Sequence, residues 1–347
     1  MMDGKELLFK LSDSFGVSGS EENLHEILKE HFEKYTDKIQ IGKLGDFIGI
    51  KRGNSNGNFK IMIAAHADEI GLIVKDIDDR GFIHFANVAG VDAKTLPAQE
   101  VIIHGKRDVY GVIGAKPPHV LTPEEMKRAI KMEDMVIDVG MSKEEVEEVI
   151  AIGDFITVNR KCANLLGDFI TGKALDNRAG ICAMYECAKE LQRIQHSADV
   201  YFVATTMEER GHLGARAVSY NINPDIAIAV DVTFGDKYSS SDVTSECGKG
   251  VEITVGPNIH PELSEKLIKT AEEYNIPYFI DAAPGPTGTD AWDIQVVREG
   301  IPTLLISIPL KYMHTSTEVI SFSDIKRVGR LMAQFISSIK DWGDVYA

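Results

Sequence analysis

No stretch of about 18 apolar residues occurs in this chain, which excludes a membrane-spanning helix. Cysteine is sparse. Cys162, Cys182, Cys187 and Cys247 are the only four, and none forms a C-x-x-C pair. Cys182 and Cys187 lie five apart and do not share a helix face. Free thiols in a reducing compartment are the expectation, and with it a cytoplasmic location. Positive charge is in deficit: 37 Lys and Arg stand against 53 Asp and Glu, a formal net charge of -16. Such a chain repels nucleic acid and anionic membranes, so neither is an expected partner. Aromatic residues are 7 % of the total, with two tryptophans. The start, MMDGKELLFKLSDSFG, carries charges throughout and reads as an amphipathic helix, not a signal peptide. Repeats and low-complexity segments are missing as well.

What is present suits a folded chain of one large or two modest domains. Its 347 residues are 44 % apolar and 26 % charged, enough to bury a substantial core. Residues 5–14 and 21–35 are predicted helices, and Ser18 with Glu21 fits a capping box opening the second. KIMIAA (60–65) reads as a buried parallel strand. From about 70 to 165 the texture changes to short runs rich in β-branched residues: GLIVKDI, GFIHFANV, QEVIIHG, VYGVIGA, MVIDVG and GDFITV. Separated by Gly, Asp and Pro, they predict a small β-barrel or sandwich. Two short acidic helices interrupt it, with capping boxes at Thr122–Glu125 and Ser142–Glu145. After 165 an α/β rhythm returns. A helix is predicted at 177–194 with a core stripe of Met184, Ala188 and Leu191. Strands follow at 199–206 and 225–232, a helix at 261–274, a strand at 303–308 and a last helix at about 323–341. Residues 1–69 alone are too few for a good core. The expected organisation is therefore one α/β domain, 1–69 with 166–347, sharing a mostly parallel sheet with helices on both faces. Residues 70–165 form an inserted β domain.

Open α/β sheets place their sites beyond the carboxyl ends of their strands. His66-Ala67-Asp68 follows the first apolar strand. Met207-Glu208-Glu209 follows the second, DIAIAV runs into Asp231, and His314 follows the strand near 303–308. Asp176 ends KALD before a helix. Singly these are ordinary residues, and Asp176 alone reads as an N-cap. Together, imidazole and carboxylate suit borderline divalent cations such as zinc, cobalt or manganese. Asp176, Glu209 and Asp231 with a bridging hydroxide balance two such ions, and a metal pair activates water for hydrolysis. Neighbouring side chains diverge as they leave a strand. Glu209 is thus free to bind metal while Glu208 faces the water as general base, and Asp68 is placed to orient His66. His84, His104 and His119 lie in the inserted β domain and read as structural or interface residues. Pro284 and Pro286, with Gly285 and Gly288, mark a loop.

The segments HADEIG, KALDNRAG, TTMEERGHLGAR, IAVDVTFG, GPTGTDA and KYMHTSTE occur in the order of motifs of a known family. The chain resembles, over nearly its whole length, the dinuclear metallo-aminopeptidases that include glutamyl, deblocking and tetrahedral-shell enzymes. Some members carry a historical endoglucanase label. The resemblance implies removal of N-terminal residues from peptides, on a phosphorylase/hydrolase-like α/β fold interrupted by a PDZ-like β-barrel that mediates assembly. It implies homo-oligomers, from dimers to twelve-subunit tetrahedral shells. It implies that His66 and Glu209 bind one metal, that His314 and Asp231 bind the other, and that Asp176 bridges them. Glu208 would be the base, Asp68 would orient His66, and Gly288, Thr289 and Asp290 would line the substrate pocket. The chain departs from the common pattern at Ala67, Asn177, Arg210, His212 and Thr315-Ser316-Thr317. None of these is an implied ligand.

Two other classes stand beside this reading. A glycoside hydrolase needs carboxyl groups roughly 5–10 Å apart across a sugar cleft. Glu208 and Glu209 are adjacent, the histidines would have no task, and aromatic platforms are scarce. A non-catalytic binding or assembly protein on the same scaffold would be expected to have lost a ligand or the base, and all six positions are intact.

Overall fold

A computed structural model describes residues 4–54, 59–236 and 245–345. The chain opens with helices α1 (Gly4–Asp13) and α2 (His25–Phe32) and strands β1 (Lys38–Ile41), β2 (Phe47–Lys51) and β3 (Lys60–His66). Then come β4 (Gly71–Ile77), β5 (Ile83–Val88), β6 (Glu100–His104), β7 (Asp108–Gly114), β8 (Val136–Asp138), helix α3 (Lys143–Val149) and β9 (Phe155–Val158). The remainder comprises β10 (Ala163–Asn164), β11 (Phe169–Gly172), α4 (Leu175–Glu190), β12 (Asp199–Thr205), α5 (Leu213–Ile222), β13 (Ile226–Phe234), β14 (Val251–Val255), α6 (Pro261–Glu273), β15 (Tyr278–Ala282), α7 (Asp290–Ile294), β16 (Thr303–Lys311), β17 (Glu318–Ser321) and α8 (Phe322–Ser337).

Two architectures result. Strands β4 to β9 close into a six-stranded antiparallel barrel in the order β4-β5-β8-β7-β6-β9. The other strands form one eleven-stranded sheet, ordered β1-β2-β12-β3-β13-β16-β17-β11-β10, with β14 and β15 branching from β16. The sheet is mixed. Its centre, β12-β3-β13-β16, is parallel, whereas β1, β2, β17, β11 and β10 pair antiparallel.

Strand β3 shows why the centre is buried on both faces. Its side chains alternate: Ile61, Ile63 and Ala65 join the larger core beneath α1, α4 and α8. Met62 and Ala64 join a second core with Ala215 and Val218 of α5 and Ile294 of α7. Helix α4 is buried nearly throughout, Met184, Ala188 and Leu191 included, because it is enclosed by the sheet, α1 and α8. At the α4–α8 crossing, a Cβ on Gly329 would come within 2.8 Å of the Ala183 carbonyl oxygen. The barrel has its own core of Leu72, Val74, Phe85, Val101, Ile103, Ile137 and Ile156.

One local expectation is corrected. Ser18 does not cap a helix. Residues 22–24 form a 3-10 turn without a side-chain cap, and the Ser18 hydroxyl donates instead to Asp68. Ser142 and Glu145 do form a capping box on α3. Residues 125–127 form a 3-10 turn, not an α-helix, and the Glu125 side chain needed for the Thr122 box lies outside the described residues. All four cysteines are free thiols. Among the described residues, no helix is long and apolar enough to cross a membrane.

Candidate active site

Parallel register brings the strand ends together. His66, the last residue of β3, pairs with Thr205, the last of β12, so the turn carrying Glu208 and Glu209 begins level with His66. Asp231 sits within β13, opposite Ser307 of β16. His314 follows β16, and Asp176 lies at the start of α4.

Five side chains converge. His66 Nε2 lies 3.1 Å from Asp176 Oδ1 and 3.8 Å from Asp231 Oδ1. His314 Nε2 lies 3.4 Å from Asp176 Oδ2 and 3.2 Å from Glu209 Oε1. Asp176 thus stands between the two imidazoles with one oxygen toward each. Three groups of side chains are able to hold a cation: His66, Asp176 and Asp231; His66, Glu208 and Glu209; and Asp176, Glu209 and His314. The first and third put Asp231 beside His66 and Glu209 beside His314, whereas the second puts Glu209 beside His66, as the family resemblance implies. The Asp176 side chain is occupied by the histidines, and helix α4 has no side-chain cap. Asn177 donates to the Val230 carbonyl at 2.7 Å and accepts from the Gly180 amide at 3.1 Å. An ionised aspartate could only accept.

The electrostatics are those of a site short of positive charge. His314, hydrogen-bonded to Asp176 and Glu209, is pushed up to about 11. Burial opposes the His66 imidazolium, yet Glu208, Asp176, Asp68 and Asp231 together hold it well above its ordinary value. Burial raises Asp231 far above the usual carboxylate range, and Glu208 and Asp176 add to the effect. Burial and Glu208 likewise lift Asp290 to about 7.

Asp68 does two jobs. Its main-chain carbonyl lies 3.1 Å from His66 Nδ1, nearer than its own carboxylate at 3.5 Å. The carboxylate accepts the amides of Glu208 at 3.0 Å and Glu209 at 3.2 Å, and the Ser18 hydroxyl. Asp68 therefore ties down the turn of Glu208 and Glu209 as well as the His66 ring.

Several contributors escaped the sequence reading. Glu318, from β17, accepts the amides of Asp176 at 3.1 Å and His314 at 3.0 Å, tying those two segments together. It was inside KYMHTSTE, but nothing local distinguishes it from a surface acid. Glu21 accepts the Met207 amide at 2.9 Å, steadying a residue whose φ is +54°. Arg178, fully buried, donates to the carbonyls of Leu11, Ser14 and Ala67. Gly90, from the barrel's β5–β6 connection, packs on His314, where a Cβ would come within 2.6 Å of Nδ1.

The expected substrate-pocket segment is partly at the site. Asp290 is buried beside Glu208 and accepts the Thr205 hydroxyl at 2.6 Å. Gly288 makes the preceding turn at φ +64°, a conformation cheap only for glycine, and Thr289 hydrogen-bonds Thr287. A narrow cleft, about 50 Å³ in volume, runs from His314, Glu209 and Asp176 onto the barrel, lined there by Leu72, Val91, Leu96, Gln99, Ile156 and Val158. The charged pair in its wall, Lys173 and Glu69, meets at 2.7 Å, and Arg178 joins Glu69 at 3.3 Å. The barrel histidines are elsewhere: His104 stacks on Phe15 and bonds Asp108 and Thr157, and His119 is exposed.

The chain is similar to known proteins over nearly its whole length. A lysyl aminopeptidase of Pyrococcus furiosus is 36 % identical over 341 residues, covering 96 % of this chain and 97 % of that one. The crystal structure of a TET aminopeptidase from a marine sediment archaeon of the Thaumarchaeota superposes with a TM-score of 0.93 at 32 % identity, covering 99 % of this chain and 98 % of that one. The TET1 peptidase of Pyrococcus horikoshii, which can assemble into a tetrahedron or a large octahedral shell, gives a TM-score of 0.84 at 30 % identity, over 96 % and 99 % of the two chains. The profile of M42 glutamyl aminopeptidases matches residues 45–331, and the chain belongs to that family of aminopeptidases.

Proposed function

We propose that this aminopeptidase works with two divalent cations per subunit, zinc or cobalt foremost and manganese as the alternative. His66, Asp176 and Asp231 would hold one, and Asp176, Glu209 and His314 the other. The observation that carries the reading is Asp176, a buried carboxylate with one oxygen toward each of two imidazoles, each imidazole with a further carboxylate of its own. The donor set fits. It is nitrogen and carboxylate oxygen, as borderline cations prefer, and its three carboxylates need the positive charge that the histidines alone attract by holding protons.

Two cations so held would polarise a scissile carbonyl and lower the pKa of water at the site. Glu208 is the base. It is buried, and its Oε2 faces the cluster 3.8 Å from His66 Nε2. It takes the proton of the attacking water and returns it to the departing nitrogen. Asp68 keeps the turn of Glu208 and Glu209 in register with His66. Asp290, with the turn at Gly288 and Thr289, walls the substrate, and the apolar cleft toward the barrel receives a neutral peptide side chain. The substrates are peptides with a free N-terminus. The barrel, residues 70–165, serves assembly into homo-oligomers between dimer and tetrahedral dodecamer, by analogy with the TET relatives.

Turnover of a panel of aminoacyl chromogenic substrates, before and after chelation and with each metal restored, tests the reading. Chelation abolishes turnover, and zinc or cobalt restores it at about two ions per chain. Glu208→Gln retains its metals and fold and loses about 100-fold or more in kcat. Activity that survives chelation sinks the metal chemistry, and near-normal turnover of Glu208→Gln sinks its role as base.

A further inference from the structure

Beside Glu208 lies a chain of polar side chains that the chemistry above does not use, running from the cluster to the exposed Arg216. His212 Nε2 is 3.1 Å from Glu208 Oε1. On its other side, Nδ1 is hydrogen-bonded to Asp293. The second oxygen of Asp293 accepts from Arg216 Nε at 2.8 Å, and from its Nη2. His212 immediately precedes α5, Arg216 lies on α5 and Asp293 lies on α7, so two helices converge on one carboxylate. Glu208 and Asp293 side chains are 8 % and 5 % exposed, and that of His212 is 17 % exposed. The backbone of His212 is held at φ +57°, a left-handed conformation that L residues rarely adopt. A strained residue at a site points to a role for its geometry.

We propose that His212, backed by Asp293 and Arg216, is a positioning residue that holds one oxygen of Glu208 and thereby turns the other, Oε2, to the cluster. The proposal rests on the reading of Glu208 as base. Glu208 stands close to Asp231 and Asp290, and each of those carboxylates and Glu208 repel one another. His212 supplies a donor to its other oxygen, Oε1. Burial opposes the His212 imidazolium, but Glu208, Asp293 and Asp290 raise it to about 9. At neutral pH it therefore donates from both nitrogens. Small misplacements of a catalytic group are costly in rate, so losing this donor acts on turnover and leaves substrate affinity nearly untouched.

Steady-state kinetics of the metal-loaded full chain test it, using one aminoacyl chromogenic substrate. His212→Leu is expected to lower kcat on the order of tenfold with KM within about twofold and metal content unchanged. His212→Gln, which keeps an N–H for Glu208, recovers part of the loss. In a Glu208→Gln background, His212→Leu costs nothing further, because its effect runs through Glu208. An equal loss in both backgrounds, an unchanged kcat, or a loss confined to KM overturns the proposal. Should His212→Leu fail to fold, Asp293→Asn serves, with a smaller kcat loss that again vanishes in Glu208→Gln. Glu208→Gln alone separates the two ideas. If it turns over normally, the base assignment falls and this proposal with it. If it is slow while both His212 variants are normal, only this proposal falls.

Discussion

Strand β3 of the sheet is buried from its second residue to its last, whereas β7 of the barrel alternates exposed and buried along its length. The contrast is that of a strand covered by helices on both faces and a strand with one face in water. It extends to the site. Every side chain that converges on Asp176 comes from the sheet or its connections. The barrel supplies no such group. It contributes the backbone of Gly90 against His314 and an apolar wall to the cleft. A rigid, doubly covered sheet suits ligands that must be held closely, while the barrel can vary its lining without disturbing them. Changes in the sheet should therefore act on chemistry, and changes in the barrel on substrate choice.

The largest expected effect is that of Asp176→Ala. Both ion positions share this residue, so turnover falls below detection and bound metal drops, as measured by elemental analysis. A variant that retains both ions breaks the comparison at its centre. Next is Gly90→Ala, the one barrel change predicted to reach the chemistry. Its methyl group would displace the His314 ring, lowering kcat roughly tenfold and weakening retention of one ion in a chelator titration. Normal metal retention would show that the ring has room to move. Leu96→Lys, deep in the barrel wall, should instead leave metal content alone. It should shift kcat/KM toward peptides with an acidic side chain by on the order of tenfold, and an unaltered ranking of a peptide panel would remove the cleft from substrate binding.

The smallest effect concerns stability. Burial pushes the Glu21 carboxyl up to about 7, with Asp68 adding to the rise. Such a group favours the folded state fully below its unfolded value of 4.5, and the contribution is lost as pH climbs through about 7. Glu21→Gln should therefore gain stability relative to the parent between pH 5 and pH 8 in denaturant titrations. A difference that does not change with pH would place Glu21 in water.

What could be read from the sequence follows the same division. The apolar runs that became β3, β12, β13 and β16 were long enough to announce themselves, and the polar residues in or just beyond them are the ones that converge on Asp176. Glu208 and Glu209 do diverge, as neighbours leaving a strand are expected to: one meets His212 and the other His314. The flanking β1, β2, β14, β15 and β17 were missed, being short or half-polar. Ser18 shows the limit most clearly. Its local motif fits a capping box, but Asp68, 50 residues away, offers a buried and charged acceptor, and a hydrogen bond to a charged group is the stronger one. Glu318 and Asp293 were unreadable for the same reason, since each acquires its partners only when distant segments meet.

The most direct test of the two-cation centre is a crystal structure of the zinc-loaded protein with anomalous scattering recorded at the zinc edge. Two peaks flanking the Asp176 carboxylate are predicted, one against His66 and Asp231 and the other against Glu209 and His314. A single peak, or Asp176 bound to neither ion, would contradict it.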